Sequence, residues 1–174
     1  MLLREHLFRL YRSIGEQHHV RRALDVGTGA GENLRALTSA IPETVVCAVD
    51  IDLGSLRSVS APLPQGVQAR LELVLADARM LPFRDGSFDL VTSLAALHHL
   101  DDVEGGLREA RRVLREGGYF VVSEWTPDSK LSPHPPETAR RTLEEVKRAL
   151  PRLFRLTDLR VFRDYIIVAA RRED

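Results

Sequence analysis

Three glycines at alternate positions, Gly27, Gly29 and Gly31, interrupt the stretch ALDVGTGAGEN at residues 23–33, directly after the apolar run that carries Asp25. Glycines this close strip the chain of Cβ atoms and let a ligand meet bare backbone. A phosphate loop would need Lys followed by Ser or Thr after the glycines, and Glu32 and Asn33 stand there instead. A dinucleotide fingerprint would have its third glycine at Glu32, where a carboxylate beside a helix N-terminus repels pyrophosphate. A nicotinamide oxidoreductase therefore survives only if Glu32 is tolerated there. The loop suits a ligand without phosphates.

Two further acids end apolar runs downstream. Asp50, 23 residues beyond Gly27, stands where a carboxylate can accept from both hydroxyls of a ribose. Asp77, in LADARMLPF, can meet an adenine amino group while the N–H of Ala78 meets a ring nitrogen. Singly, each acid is equally a cap or turn residue. Together they converge on the crevice where open α/β sheets bind ligands. His98 and His99, in LHHLDD, carry the side chain best suited to a general base, although packing or capping serves them as well. His18, His19 and His134 fall in loops, and no histidine pair has the i, i+4 spacing and carboxylate company of a metal site, so no metal is expected.

The elements that must position these residues alternate. RRALDVG, TVVCAVDID, LELVLAD, FDLVTSLAAL and YFVVSEW read as strands, the second covered on both faces. Between them lie helices over AGENLRALTSAI, Leu53 to Val59 and VEGGLREARRVLRE, the last closed by Gly117 and Gly118 as a C-cap. A turn-rich APLPQG precedes the third strand. At the N-terminus, Leu3, Leu7, Leu10 and Ile14 form the buried stripe of an amphipathic helix. A Pro-rich loop, a helix over TARRTLEEVKRAL and two strand-like runs joined near Arg163 and Asp164 finish the chain; runs this close pair antiparallel. The expected fold is α/β, a doubly wound and mostly parallel sheet with helices on both faces and a C-terminal antiparallel hairpin. One domain spans 1–174: an N-terminal helix over 1–20, a ligand-binding core over 22–125, and the loop, helix and hairpin over 126–174.

With 174 residues, 44% hydrophobic and 29% charged, the composition is that of a globular domain with a real core. Lys plus Arg and Asp plus Glu both number 25, which argues against tight non-specific binding to nucleic acid. Residues 1–22 carry five Arg against two Glu and residues 137–174 ten basic against seven acidic, so both flanks are +3 and the middle is −6. Solvated helix faces explain this; an anionic acceptor such as RNA would exploit it. Arg outnumbers Lys 23 to 2, from which no function follows. Cys47 is the single cysteine, so no disulfide framework forms and a reducing cytoplasm fits. No segment approaches the ~20 apolar residues of a membrane span.

From Arg22 to Trp125 the sequence resembles the class I S-adenosylmethionine-dependent methyltransferases. LDVGTGAGEN is similar to the family's glycine motif, AVDID to its second-strand acid, LADARMLPF to its third-strand motif, SFDLVTSLAALHHL to its fourth strand, and LREARRVLREGGYFVVSEW to the helix, Gly-Gly turn and fifth strand. The resemblance implies a seven-stranded sheet and methyl transfer by in-line displacement, with S-adenosylhomocysteine as product. It implies that Asp25, Gly27, Thr28 and Gly29 surround the methionine part, Asp50 and Ile51 hold the ribose and adenine face, Asp77 and Ala78 hold the adenine edge, and Ser93 and Leu94 line the reactive end. His98 and His99 are the candidate bases. Trp125 and Tyr11 could wall the acceptor, although core packing is their commoner fate.

The departures narrow the acceptor. SLAAL stands where amide and adenine methyltransferases carry Asn-Pro-Pro-Tyr, and Cys47 is remote from any Pro-Cys motif, which argues against thiolate attack on cytosine. No cap domain is inserted, so the acceptor site must come from the N-terminal helix, the segment Asp128 to Pro136 and the hairpin loops. Such a site is either open to a macromolecule or completed by a second copy or a partner subunit. The acceptor, a small molecule or RNA, is not specified. The competing expectation is a non-catalytic protein that binds the same cofactor as a regulator or partner.

Overall fold

A computed structural model describes residues 2–59, 63 and 66–174. The helix α1 (Leu3–Gln17) precedes β1 (Arg22–Val26), α2 (Glu32–Ala40), β2 (Val45–Asp50), α3 (Leu53–Val59), β3 (Leu71–Leu75), β4 (Phe88–Leu94), α4 (Val103–Val113), β5 (Leu114–Trp125), α5 (Pro136–Leu153), β6 (Arg155–Val161) and β7 (Tyr165–Arg171). The seven strands form one sheet in the order β3-β2-β1-β4-β5-β7-β6. β1 to β5 are parallel, and β7 runs antiparallel to both β5 and β6. The doubly wound fold and the C-terminal hairpin are as the sequence predicts. Of APLPQG, only Leu63 and Gly66 lie within the described residues.

Strand residues alternate between faces, so each central strand feeds two cores. Leu24, Val26, Cys47, Val49, Val91, Phe120 and Val122 pack with α4 and α5. Ala23, Val46, Ala48, Leu90 and Val121 pack with α1 and α2. Asp25 therefore points to the α1/α2 side, a buried acid between apolar neighbours. The predicted stripe of α1 is buried there at Leu7, Leu10 and Ile14, with Tyr11 beside them.

One expectation needs correction. Gly117 and Gly118 do not cap α4: the helix ends at Val113 and both glycines lie inside β5. The register against β4 jumps from Phe88↔Leu114 to Leu90↔Tyr119, and Gly117 takes φ +71° in that irregularity. Arg172, just past β7, caps the helix instead, its guanidinium donating to the carbonyls of Arg111, Arg112 and Leu114 at 3.1, 3.2 and 2.5 Å. β3 lies at the sheet edge and leaves Leu73 and Leu75 exposed.

Candidate functional site

The carboxyl ends of β1, β2 and β4, with the segment that follows β3, open into one cavity of about 680 Å³. The strand order reverses between β1 and β4, and an open sheet leaves its crevice at such a switch point. The glycine loop forms the floor. Gly27 and Thr28 donate their N–H groups to the Val49 carbonyl at 2.8 and 3.1 Å, which extends the β1–β2 ladder by one step. Gly27 holds φ +72°, and a Cβ there would lie 2.3 Å from the Ala96 Cβ, so only glycine lets the loop pass beneath the exit of β4. Gly29, at φ +51°, has no atom of the described residues, its chain neighbours aside, within 4 Å of where its Cβ would be.

Asp50 joins this loop to β2. One carboxylate oxygen accepts from the Gly29 N–H at 2.8 Å and the other from the Asp52 N–H at 2.9 Å. Each oxygen keeps a lone pair for a ligand. Asp77 is held differently, by the backbone N–H of Arg79 at 2.8 Å and by its guanidinium at 2.7 to 3.2 Å. Those bonds from Arg79 hold the Asp77 carboxyl down at about 2. Gly27, Thr28, Gly29, Asp50, Ile51, Asp77, Ala78, Ser93, Leu94 and His99 all line the cavity, as does Trp125.

Asp25 and His98 are not among the lining residues, and each is buried behind the wall for a reason. The Asp25 carboxylate accepts from Thr28 at 2.8 Å, Asn33 at 2.6 Å and Thr92 at 2.9 Å. Tyr11 donates to Asn33 at 2.7 Å, so this aromatic closes the network and does not face an acceptor. Burial raises the Asp25 pKa, and the three donors oppose it. The group braces the glycine loop from below: Thr28 belongs to the loop, Asn33 to α2 and Thr92 to β4.

Behind the opposite wall, Glu124 of β5 organises the exit of β4. One oxygen accepts from the backbone N–H groups of Ala96 and Leu97 at 3.0 and 2.7 Å, and the other meets His98 Nδ1 at 2.8 Å. Ala95, at φ +47°, makes the sharp turn that these bonds hold. His99 points the other way, onto the cavity wall; burial first, then the nearby His98 and His134, lower its pKa. His98, His99 and His134 each offer one ring nitrogen within 4.8 Å of the other two. Pairwise spacing along the chain misses this trio, because the segment 126–135 brings His134 back over the turn at Leu97–His99. Otherwise the segment Asp128 to Pro136 contributes nothing to the cavity lining, whereas α1 contributes Leu3, Arg4 and Leu7.

Glu124, Asn33 and Thr92 are the polar residues that sequence reasoning passed over. The available signal was a charged or polar side chain inside an apolar strand or helix face.

The model of a family described as the methyltransferase domain matches residues 24–122. The demethylmenaquinone methyltransferase of Roseiflexus castenholzii is 40% identical over 103 residues, which is 59% of this chain and 42% of that protein. The malonyl-[acyl-carrier protein] O-methyltransferase of Laribacter hongkongensis is 37% identical over 119 residues, 65% of this chain and 40% of that one. The chain thus spans about two fifths of the length of these relatives. The solved N-methyltransferase NodS of Bradyrhizobium japonicum, in complex with S-adenosyl-L-homocysteine, superposes with a TM-score of 0.75 at 17% identity over 98% of this chain and 87% of that one. The matched residues run from β1 through β5 and include the glycine loop and both strand-end acids, and the chain belongs to the methyltransferase domain family.

Proposed function

We propose that the chain binds S-adenosylmethionine in the switch-point cavity and catalyses transfer of its methyl group to an acceptor. The observation that carries this reading is the convergence of the glycine loop, Asp50, Asp77 and Ser93 on one cavity. Its polar features fit that ligand. Five acids line it, Glu32, Asp50, Asp52, Asp77 and Asp101, against two cations, Arg4 and Arg79, a balance that favours a sulfonium and an ammonium over a pyrophosphate. The Ser93 hydroxyl is buried at the wall without a hydrogen-bond partner among the described residues, and Gly29 leaves room for close approach. Asp50 takes the ribose hydroxyls on its free lone pairs, Ile51 covers the adenine face, and Ala78 offers its N–H to the adenine edge. Asp25 shapes the loop without touching the ligand. Bound, the cofactor supplies an activated methyl group on a sulfonium.

The protein's task is then alignment, because displacement of a neutral thioether leaves no oxyanion to stabilise; proximity and orientation are worth roughly 7 to 11 kcal/mol. His99, on the wall, is placed to accept a proton from an acceptor that must lose one. His98, held behind it by Glu124, positions the turn. The relatives' names cover demethylmenaquinone and malonyl-[acyl-carrier protein] as acceptors, so the acceptor here is a small molecule or carried group, or an RNA drawn by the basic flanks. The cavity mouth beside α1 and Trp125 is where it enters. The thiol of Cys47, buried in β2, suits the reducing cytoplasm, and light scattering would read out whether self-association or a partner completes the site.

Calorimetric titration with S-adenosylhomocysteine tests the proposal, with NADH and Asp50→Ala as controls. Micromolar binding of the first ligand alone is expected. Loss of one or two charge-assisted bonds at about 1.5 to 3 kcal/mol each makes the variant at least about tenfold weaker. Absence of binding by folded protein, or preferential binding of NADH, overturns it.

A further inference from the structure

We propose that His98, His99 and His134 form a site for a zinc-like divalent cation at the edge of the methyl-transfer cavity. One ring nitrogen from each lies within 4.8 Å of the other two, and the ring centroids are 4.1 Å apart for His98–His99, 4.5 Å for His98–His134 and 5.1 Å for His99–His134. The second observation is at His98. This ring is buried, and its Nε2 has no hydrogen-bond partner among the described residues. An orphaned nitrogen of this kind calls for a ligand. The carboxylate of Glu124, 2.8 Å from Nδ1, can only accept, so it fixes the proton on Nδ1 and leaves a lone pair on Nε2. A carboxylate behind an imidazole is the arrangement that orients histidine ligands and raises their basicity.

Three imidazoles select the cation. Nitrogen donors suit zinc and its transition-metal neighbours, and disfavour magnesium and calcium, which take oxygen. Metal–nitrogen bonds of about 2.0 to 2.1 Å in a tetrahedron put the nitrogens roughly 3.4 Å apart, so the trio must contract by about 1 Å. His134 can supply that movement. It lies in the irregular segment 126–135, whereas His98 is tied to Glu124. Three protein ligands leave a fourth position open, which is the pattern of a reactive site and not of a closed structural one. His99 both belongs to the trio and lines the cavity. Cation binding and proton acceptance use the same lone pair of a neutral ring. A bound cation therefore removes His99 as a base and places a Lewis acid beside the cavity in its stead.

Cation binding by the trio does not require the methyl-transfer reading and is tested without it. Full-length protein, stripped with a chelator that is then removed, is titrated with ZnCl2 by calorimetry, with MgCl2 as the control. One equivalent of Zn2+ is expected to bind at micromolar or tighter affinity and Mg2+ to give no binding heat. His134→Ala and His99→Ala, both off the packed core, should each weaken Zn2+ binding at least tenfold while the metal-free melting temperature and circular dichroism stay unchanged. Glu124→Gln should weaken it about 10- to 100-fold. Co2+ in place of Zn2+ should give the visible bands of a tetrahedral site in the parent and not in His134→Ala. No Zn2+ binding by folded protein overturns the proposal, and so does binding that persists in the His99→Ala/His134→Ala double variant. Titration of the same samples with S-adenosylhomocysteine keeps the two readings apart. Zn2+ binding without it sinks the methyl-transfer reading alone, and the converse sinks the metal site alone.

Discussion

Glu124, near the end of β5, and His98, in the turn that follows β4, are joined by a 2.8 Å bond between carboxylate and Nδ1 although both side chains are at most 4% exposed. The second carboxylate oxygen takes the N–H groups of Ala96 and Leu97, so one buried acid fixes the turn that leaves β4. Glu124→Gln keeps an acceptor for those two N–H groups but turns an amide N–H toward the Nδ1–H of His98. The expected cost is about 1 to 3 kcal/mol, read as a lowered urea midpoint at unchanged slope. An unchanged midpoint would show that the pair contributes nothing to the fold.

The loop glycines differ in what they tolerate. Gly27→Ala combines φ +72° with a 2.3 Å collision against Ala96 and should cost about 2 kcal/mol or more, with loss of S-adenosylhomocysteine binding. Gly29→Ala meets no atom of the described residues beyond its chain neighbours and suffers the left-handed backbone at φ +51°, about 1 to 2 kcal/mol. It should fold, and its weakened ligand binding then reports crowding by the added methyl. Melting curves and calorimetry on both variants separate the two effects.

Asp77 sets a pH dependence with a definite sign. Its carboxyl is lowered from 3.8 to about 2 by Arg79, so the folded form stays ionised where the unfolded chain already takes up protons. This contribution to stability is complete above pH 3.8 and is lost as the pH falls through about 2. Arg79→Ala should melt lower than the parent at pH 5, and the gap should close toward pH 2. A gap that is constant with pH would exclude the ion pair as its cause.

Cys47, buried in β2, has its thiol pushed up to about 12 by burial, then by Glu72. Attack on an aromatic disulfide needs the thiolate, so at pH 8 the folded protein should react on the order of a thousandfold more slowly than the chain in denaturant. Equal rates would mean that β2 opens readily.

Two properties of the chain follow from its sequence alone. Strand runs alternating with helical stripes dictate a parallel sheet, since parallel neighbours need crossover helices. Strand-end acids and alternate glycines then have to meet at the carboxyl edge, and Gly29, Asp50 and Asp77 all line the cavity there. What local pattern could not decide was which side of a wall a residue takes. Asp25 is one residue before Val26 at the strand end, yet the alternation of β1 turns it under the loop toward Asn33 and Thr92. Gly117 and Gly118 read as a helix cap, but Arg172, about 60 residues away, reaches the helix carbonyls first. His134 is 35 residues beyond His99, and only the return of the segment 126–135 over the β4 exit joins it to the other two. Spacing along a chain fixes neighbours within one helix or strand; contacts between elements depend on the packing of the whole sheet, which no local period encodes.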